Sequence, residues 1–169
     1  MFQGIIVAVI AAMVGLDQLT KWLAVVYLKS GDPVTLIPGV LQLSYTENEG
    51  AAFGMLQGGR WFFVVMTGIL MAALLLFLLS GKLRRYRIFN CSMILIIAGG
   101  IGNFIDRIVQ GYVVDFIEVT LFEFPLFNVA DCFVVIGSVM LLIFYGFIYE
   151  ENTPVEVVNG NTADDSSGS

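Results

Sequence analysis

Residues 61–80 read WFFVVMTGILMAALLLFLLS, 20 residues without a charge. An α-helix of about 20 apolar residues, rising 1.5 Å per residue, crosses the hydrocarbon of a bilayer, so this stretch reads as a membrane span. Residues 88–105 and 132–149 are uncharged runs of 18 residues each, long enough for tilted helices with polar ends. The N-terminal run is interrupted: residues 4–16 are wholly apolar, Asp17, Gln18 and Lys21 intervene, and residues 22–28 resume. The first piece is too short to cross alone, so residues 4–28 are expected to form one helix. A cleaved signal peptide is the competing reading. It is rejected because no basic residue precedes the run and no small-x-small site follows it.

Composition agrees with a membrane chain. Of 169 residues, 58% are hydrophobic and 13% charged, against roughly half and a quarter in soluble domains. The formal charge of −6 says little about function. Glu150, Glu151, Glu156, Asp164 and Asp165 supply most of it, and residues 1–149 carry 9 acidic against 8 basic side chains. No basic patch calls for nucleic acid. The absence of histidine excludes Ser-His and Cys-His catalysis and imidazole-dependent zinc sites. Cys91 and Cys132 form no CxxC pair and are read as membrane-core residues.

Positive charge sets the expected orientation. Lys82, Arg84, Arg85 and Arg87 crowd the short loop between the second and third spans, while the other side has Lys29 and Arg60 near the span ends and Arg107 at the end of the third span. The positive-inside rule places the crowded loop in the cytoplasm. Both termini are then cytoplasmic, and residues 29–60 and 106–131 face outward. Residues 151–169 read as a disordered polar cytoplasmic tail. In the outward segments, VTLI (34–37) and VLQLSY (40–45) flank Pro38-Gly39, a turn between two β-prone runs, and YVVDFIEVT (112–120) is also extended in character. The fold expected is an all-α membrane protein, four transmembrane helices (about 4–28, 61–80, 88–107 and 130–149) with a small extracytoplasmic β-rich element.

A charge near the bilayer centre costs roughly 2.5–3.5 kcal/mol, so ionisable groups there pair or line a cavity. Asp17 and Lys21 stand one helical turn apart on one face, an expected ion pair. Asn103 and Arg107 share a face at the end of the third span, after glycines that admit a neighbouring backbone. Asp115 lies in the apolar stretch VVDFI, and Asp131 begins the fourth span, where an aspartate caps a helix well. Taken together, these two permit another reading. Two carboxylates within hydrogen-bonding distance cannot both ionise freely. The ionised one then takes a proton from water while the protonated one polarises a peptide carbonyl. In a chain without histidine this is the best hydrolytic arrangement available. The pattern alone leaves cation binding and proton relay open.

Five blocks carry a resemblance: LDQLTK (16–21), ENEGAAF (47–53), GGIGNFIDR (99–107), VVDF (113–116) and FNVAD (127–131). In this order, at these places relative to four spans, the chain resembles the lipoprotein signal peptidase (type II signal peptidase) family over nearly all of residues 10–140. The resemblance implies that residues 1–150 form a single transmembrane peptidase domain in a bacterial cytoplasmic membrane, with its active site at the outer face. It puts the catalytic roles on Asp115 and Asp131. Asn48, Asn103, Arg107 and Asn128 would hold substrate backbone or orient the carboxylates. Gly50 would permit close backbone approach, and Asp17 and Lys21 would stabilise the fold near the site. The implied substrate is a diacylglyceryl-modified prolipoprotein in the membrane lipid, cut just before its lipidated cysteine, without metal or cofactor, by a monomer. Two positions depart from the pattern: Cys132 stands where a serine is common, and Glu49 separates Asn48 from Gly50. Asp131, beside a helix N-terminus, suits the base and Asp115, in apolar surroundings, the protonated partner, but coupled carboxylates can exchange these roles, and the sequence leaves both arrangements open.

Three other functions fit the sequence less well. A small ion or proton transporter would spread its acidic residues through the membrane depth, whereas here they gather at the outer end and the second span has none. A scaffold would use the glycine-rich helix faces but leaves the two aspartates and Asn128 without a purpose. A serine-lysine peptidase would need Lys21 as a base, and Asp17 beside it keeps it protonated.

Overall fold

The computed structural model describes residues 2–50 and 60–149. The tail expected over 151–169, and residues 51–53 of the glycine-alanine block, lie outside the described residues. Four helices and one small antiparallel sheet make up the described residues.

Helix α1 runs over Phe2–Leu28, about 40 Å at 1.5 Å per residue. Its buried residues are Ile6, Ile10, Asp17, Lys21, Ala24 and Leu28, a single stripe at helical spacing. Leu16, Leu19, Trp22 and Val26 on the other faces are exposed, as suits a surface that meets lipid. Asp17 and Lys21 thus fall on the inward stripe, with Gln18 half-buried at its edge, which is why the helix continues through them. Helix α2 spans Arg60–Leu79, α3 Arg87–Val109, and α4 Val129–Ile143, which continues as a π-helical turn, Phe144–Ile148. α1, α3 and α4 with its continuation are long and apolar enough to cross a membrane, and α2 adds the shorter apolar stretch Val64–Leu79.

Strands β1 (Val34–Ile37), β2 (Leu41–Asn48) and β3 (Val113–Val119) pair antiparallel in the order β1-β2-β3. The β1–β2 turn closes with Val40 N donating to Ile37 O at 3.0 Å. Pro38 presets the first central dihedral of that turn, and Gly39, at φ 71°, accepts the second. β2 and β3 pair Thr46 with Asp115 and Asn48 with Val113, after an irregularity between Leu43 and Thr46.

Two apolar clusters hold the molecule together. At one end Ile6 and Ile10 of α1 pack with Leu78, Phe89, Met93, Ile97 and Phe144. At the other, Ala24 and Leu28 pack with Val114 and Phe116, joining the end of α1 to the sheet. Asp17 and Lys21 lie between these clusters along α1. Glycines bring α3 and α4 together: a Cβ on Gly99 would collide with the Ala130 carbonyl oxygen, and one on Gly137 would lie 2.8 Å from the Ser92 carbonyl oxygen. That close approach carries the start of α4 to the level of Asn103.

Candidate active site

Asp115 stands in the middle of β3 and is 2% exposed. Strand periodicity puts Asn48 on the same face as Thr46, the residue opposite Asp115, so its amide reaches diagonally across the pair. Asn48 Nδ2 donates to Asp115 Oδ2 at 2.9 Å, and Asn48 Oδ1 accepts from Gly50 N at 3.1 Å. The other carboxylate oxygen, Oδ1, accepts from Asn128 Nδ2 at 2.6 Å.

Asn128 arrives there because the segment before α4 is pinned to β3. Phe127 O accepts from Phe116 N and Ile117 N, and Phe127 N donates back to Ile117 O. The next residue, Asn128, has extended dihedrals and caps α4. Its Oδ1 accepts from Asp131 N at 3.0 Å, and its own N donates to Asp131 Oδ2 at 3.1 Å, a reciprocal capping box. The sequence offers Asp131 as the cap. The structure gives that position to Asn128, three residues earlier, and leaves Asp131 in the first turn with one oxygen in the box. Its second oxygen, Oδ1, accepts from Asn103 Nδ2 at 2.7 Å.

The two aspartates therefore bracket Asn128, and each of their four oxygens has one donor. Burial pushes the Asp115 carboxyl up from the ordinary 3.8 to about 6. The hydrogen bond from Asn48 pulls against that rise, the negative charge of Asp131 adds to it, and the bond from Asn128 opposes it. A carboxyl raised in this way gives up its proton less readily than an ordinary aspartate.

Beneath the pair lies an ionic cluster. Lys21 Nζ is 2.9 Å from Asp17 Oδ2, 2.9 Å from Asp106 Oδ2, and donates to Asn103 Oδ1 at 2.8 Å. Asp17 Oδ1 accepts from Ala130 N at 2.9 Å, which ties α1 to the first turn of α4. Gln18 Nε2 donates to Asp106 Oδ1 at 2.9 Å and to Gly102 O at 3.2 Å. Gly102 is required here, since a Cβ would stand 2.5 Å from Asp17 Oδ2. Among the described residues no buried side-chain nitrogen or oxygen lacks a partner, as a low-dielectric interior demands.

The family model of signal peptidase (SPase) II matches residues 9–147. The chain belongs to the signal peptidase II family. It is similar to the lipoprotein signal peptidase of Streptococcus thermophilus (strain CNRZ 1066), 41% identical over 134 residues that cover 79% of this chain and 87% of the relative. The lipoprotein signal peptidase of Listeria monocytogenes serotype 4a (strain HCC23) is 38% identical over 84% of this chain and 92% of the relative. A solved structure described as a bacterial membrane enzyme, obtained by the in meso method at 2.3 Å resolution, superposes with a TM-score of 0.81 at 33% identity. That match covers 91% of this chain and 94% of the other. As a signal peptidase II, the chain is an aspartic peptidase and a multi-pass membrane protein, with four helices and a small sheet.

Within this signal peptidase II, Asp115, Asp131, Asn48, Asn103 and Asn128 form one bonded network with Lys21 and Asp17. Arg107 Nη2 donates to Gly50 O at 3.2 Å, and the charge of Arg107 also acts on Asp115, Asp131 and Asp106. Two members of the cluster are not evident from the sequence. Asp106 reads as an interfacial anchor beside Arg107 but is 4% exposed and bonded to Lys21. Gln18 stands out in the sequence only as a polar residue interrupting the first span, and nothing there shows that it links Asp17, Gly102 and Asp106. The one signal was spacing: Asp106 lies three residues after Asn103, within one turn of the same helix face.

Proposed function

We propose that Asp115 and Asp131 are the catalytic pair of this peptidase, and that its substrate is a prolipoprotein whose cysteine already carries a diacylglyceryl group. The observation that carries this reading is the bracketing of Asn128 by the two carboxylates, one buried in β3 and one in the first turn of α4. Asp131, ionised, accepts a proton from the attacking water. Asp115, protonated, hydrogen-bonds to the carbonyl oxygen of the residue before the cysteine and gives that oxygen its proton as the water adds, so the tetrahedral intermediate is a gem-diol. When the tetrahedral intermediate collapses, the proton on Asp131 passes to the departing cysteine nitrogen. Asp115 recovers its own proton from the gem-diol. The products are the signal peptide with a free carboxylate and the lipidated protein with a free amine. The peptidase acts as a monomer, since one chain holds both aspartates.

The arrangement suits a substrate anchored in lipid. The site lies at the sheet end of the bundle, where Leu28 packs against Val114 and Phe116. The basic loop lies at the other end, with Arg84 over the Phe2 ring at 4.3 Å. With that loop in a bacterial cytoplasm, both termini are cytoplasmic and the aspartates stand at the outer membrane face. Acyl chains then stay in the bilayer while the scissile bond reaches the pair.

The test is cleavage by the purified protein of one prolipoprotein in two forms, with and without its diacylglyceryl group. Release of the signal peptide from the lipidated form, with the unlipidated form cut at under about a tenth of that rate, supports the assignment. Equal cleavage of both forms removes the lipid from substrate recognition.

A further inference from the structure

Asn103 has an amide that could be turned either way, and only one orientation serves Asp131. Its Oδ1 accepts from Lys21 Nζ at 2.8 Å and from Asn128 Nδ2 at 3.2 Å. Turned over, the amide would present its own hydrogens to an ammonium and to another NH2, neither of which can accept. Held this way, it directs Nδ2 at Asp131 Oδ1, 2.7 Å away. Lys21 has no freedom to relax this demand. It is 3% exposed, and its three hydrogens go to Asp17, Asp106 and Asn103. Gln18 and the Ala130 amide fix the far sides of those carboxylates. Neutralising Asp17 and Asp106 accounts for two of the three contacts, and the third points at the asparagine that touches Asp131.

We propose that Lys21 is a positioning residue for the hydrolysis: by anchoring Oδ1 of Asn103 it aims that amide at Asp131 and holds the carboxylate in its reacting orientation. The inference rests on Asp131 being a member of the catalytic pair. It assigns a role in the reaction to the ammonium beyond its part in the fold. Neither Lys21 nor Asp17 touches the substrate. Their effect passes through Asn103.

The test is a mutant cycle on the full-length protein in detergent micelles, with lipidated prolipoprotein as substrate. Lys21→Met/Asp17→Asn removes one positive and one negative charge together, so the buried cluster keeps its net charge, and folding is checked by thermal melting. This variant is expected to keep KM within about threefold and to lose about tenfold or more in kcat, the scale of one hydrogen bond to a charged group. In an Asn103→Ala background the same pair of changes is expected to cost no more than about twofold further, because the path it acts through is already gone. Wild-type kcat in the folded variant, or a second full loss in the Asn103→Ala background, overturns the proposal and leaves Lys21 a structural ion pair. Should that variant fail to fold, Lys21→Met/Asp106→Asn is the second version. Asn103→Asp is a third, keeping an acceptor for Lys21 but giving Asp131 no amide, and full activity there also overturns it. Asp131→Asn is measured alongside. If it retains the wild-type rate, the catalytic pair itself is wrong; if it is inactive while the balanced variant is fully active, only the Lys21 proposal fails.

Discussion

The side-chain amide of Asn128 donates to Asp115 Oδ1 at 2.6 Å, linking the cap of α4 to the middle of β3. Through this bond, a residue that starts a membrane helix also fixes a carboxylate on the sheet.

The two jobs of Asn128 separate by mutation. Asn128→Ala loses the cap and the amide, so the melting temperature and kcat are both expected to fall, the stability by about 1–2 kcal/mol for the cap. Asn128→Asp keeps an oxygen for the Asp131 amide but sets a carboxylate against Asp115. Its melting temperature is expected to lie above that of the alanine variant, with activity at least as low. Thermal melts and cleavage rates on both variants check this.

The raised carboxyl of Asp115 sets a pH dependence. If the reaction needs it protonated, kcat/KM declines as pH rises through about 6, where that proton is lost. The hydrogen bond from Asn48 holds the value down, so Asn48→Ala is expected to move this limb to higher pH. A pH–rate profile of the two proteins shows the displacement. A move to lower pH would contradict the assignment of Asp115 as the protonated partner.

Close packing of α3 on α4 gives a stability prediction. Gly99→Ala drives a methyl into the Ala130 carbonyl and is expected to cost about 1–3 kcal/mol, with lost activity, as the start of α4 is displaced. Gly15→Ala, with nothing within 4 Å of the added carbon, is expected to leave the melting temperature and rate unchanged. Detergent melts of the two variants compare them directly.

Much of this architecture could be read from residue order. Residues 61–80 have one reading, because an uncharged apolar run of that length belongs in a membrane. The Pro38-Gly39 turn and the extended stretch around Asp115 were visible for the same reason: few residue types suit those backbones. The polar layer was harder. Asp17 and Lys21 announce each other by their spacing on one helix, but Asp106 meets Lys21 from the far end of α3, and only its three-residue spacing from Asn103 sets it apart locally from a surface anchor. Asp131 and Asn128 are both good caps. Which of them caps depends on where Phe127 pairs with β3, a tertiary fact.

The central claim is that Asp115 and Asp131 split water together. The most direct measurement is cleavage of a diacylglyceryl-modified prolipoprotein by the wild type, Asp115→Asn and Asp131→Asn, each shown to be folded in detergent. The wild type is expected to release the signal peptide, and each variant to lose about three orders of magnitude or more in kcat, as loss of a general acid or base does. A folded variant of either kind that cuts near the wild-type rate would contradict it.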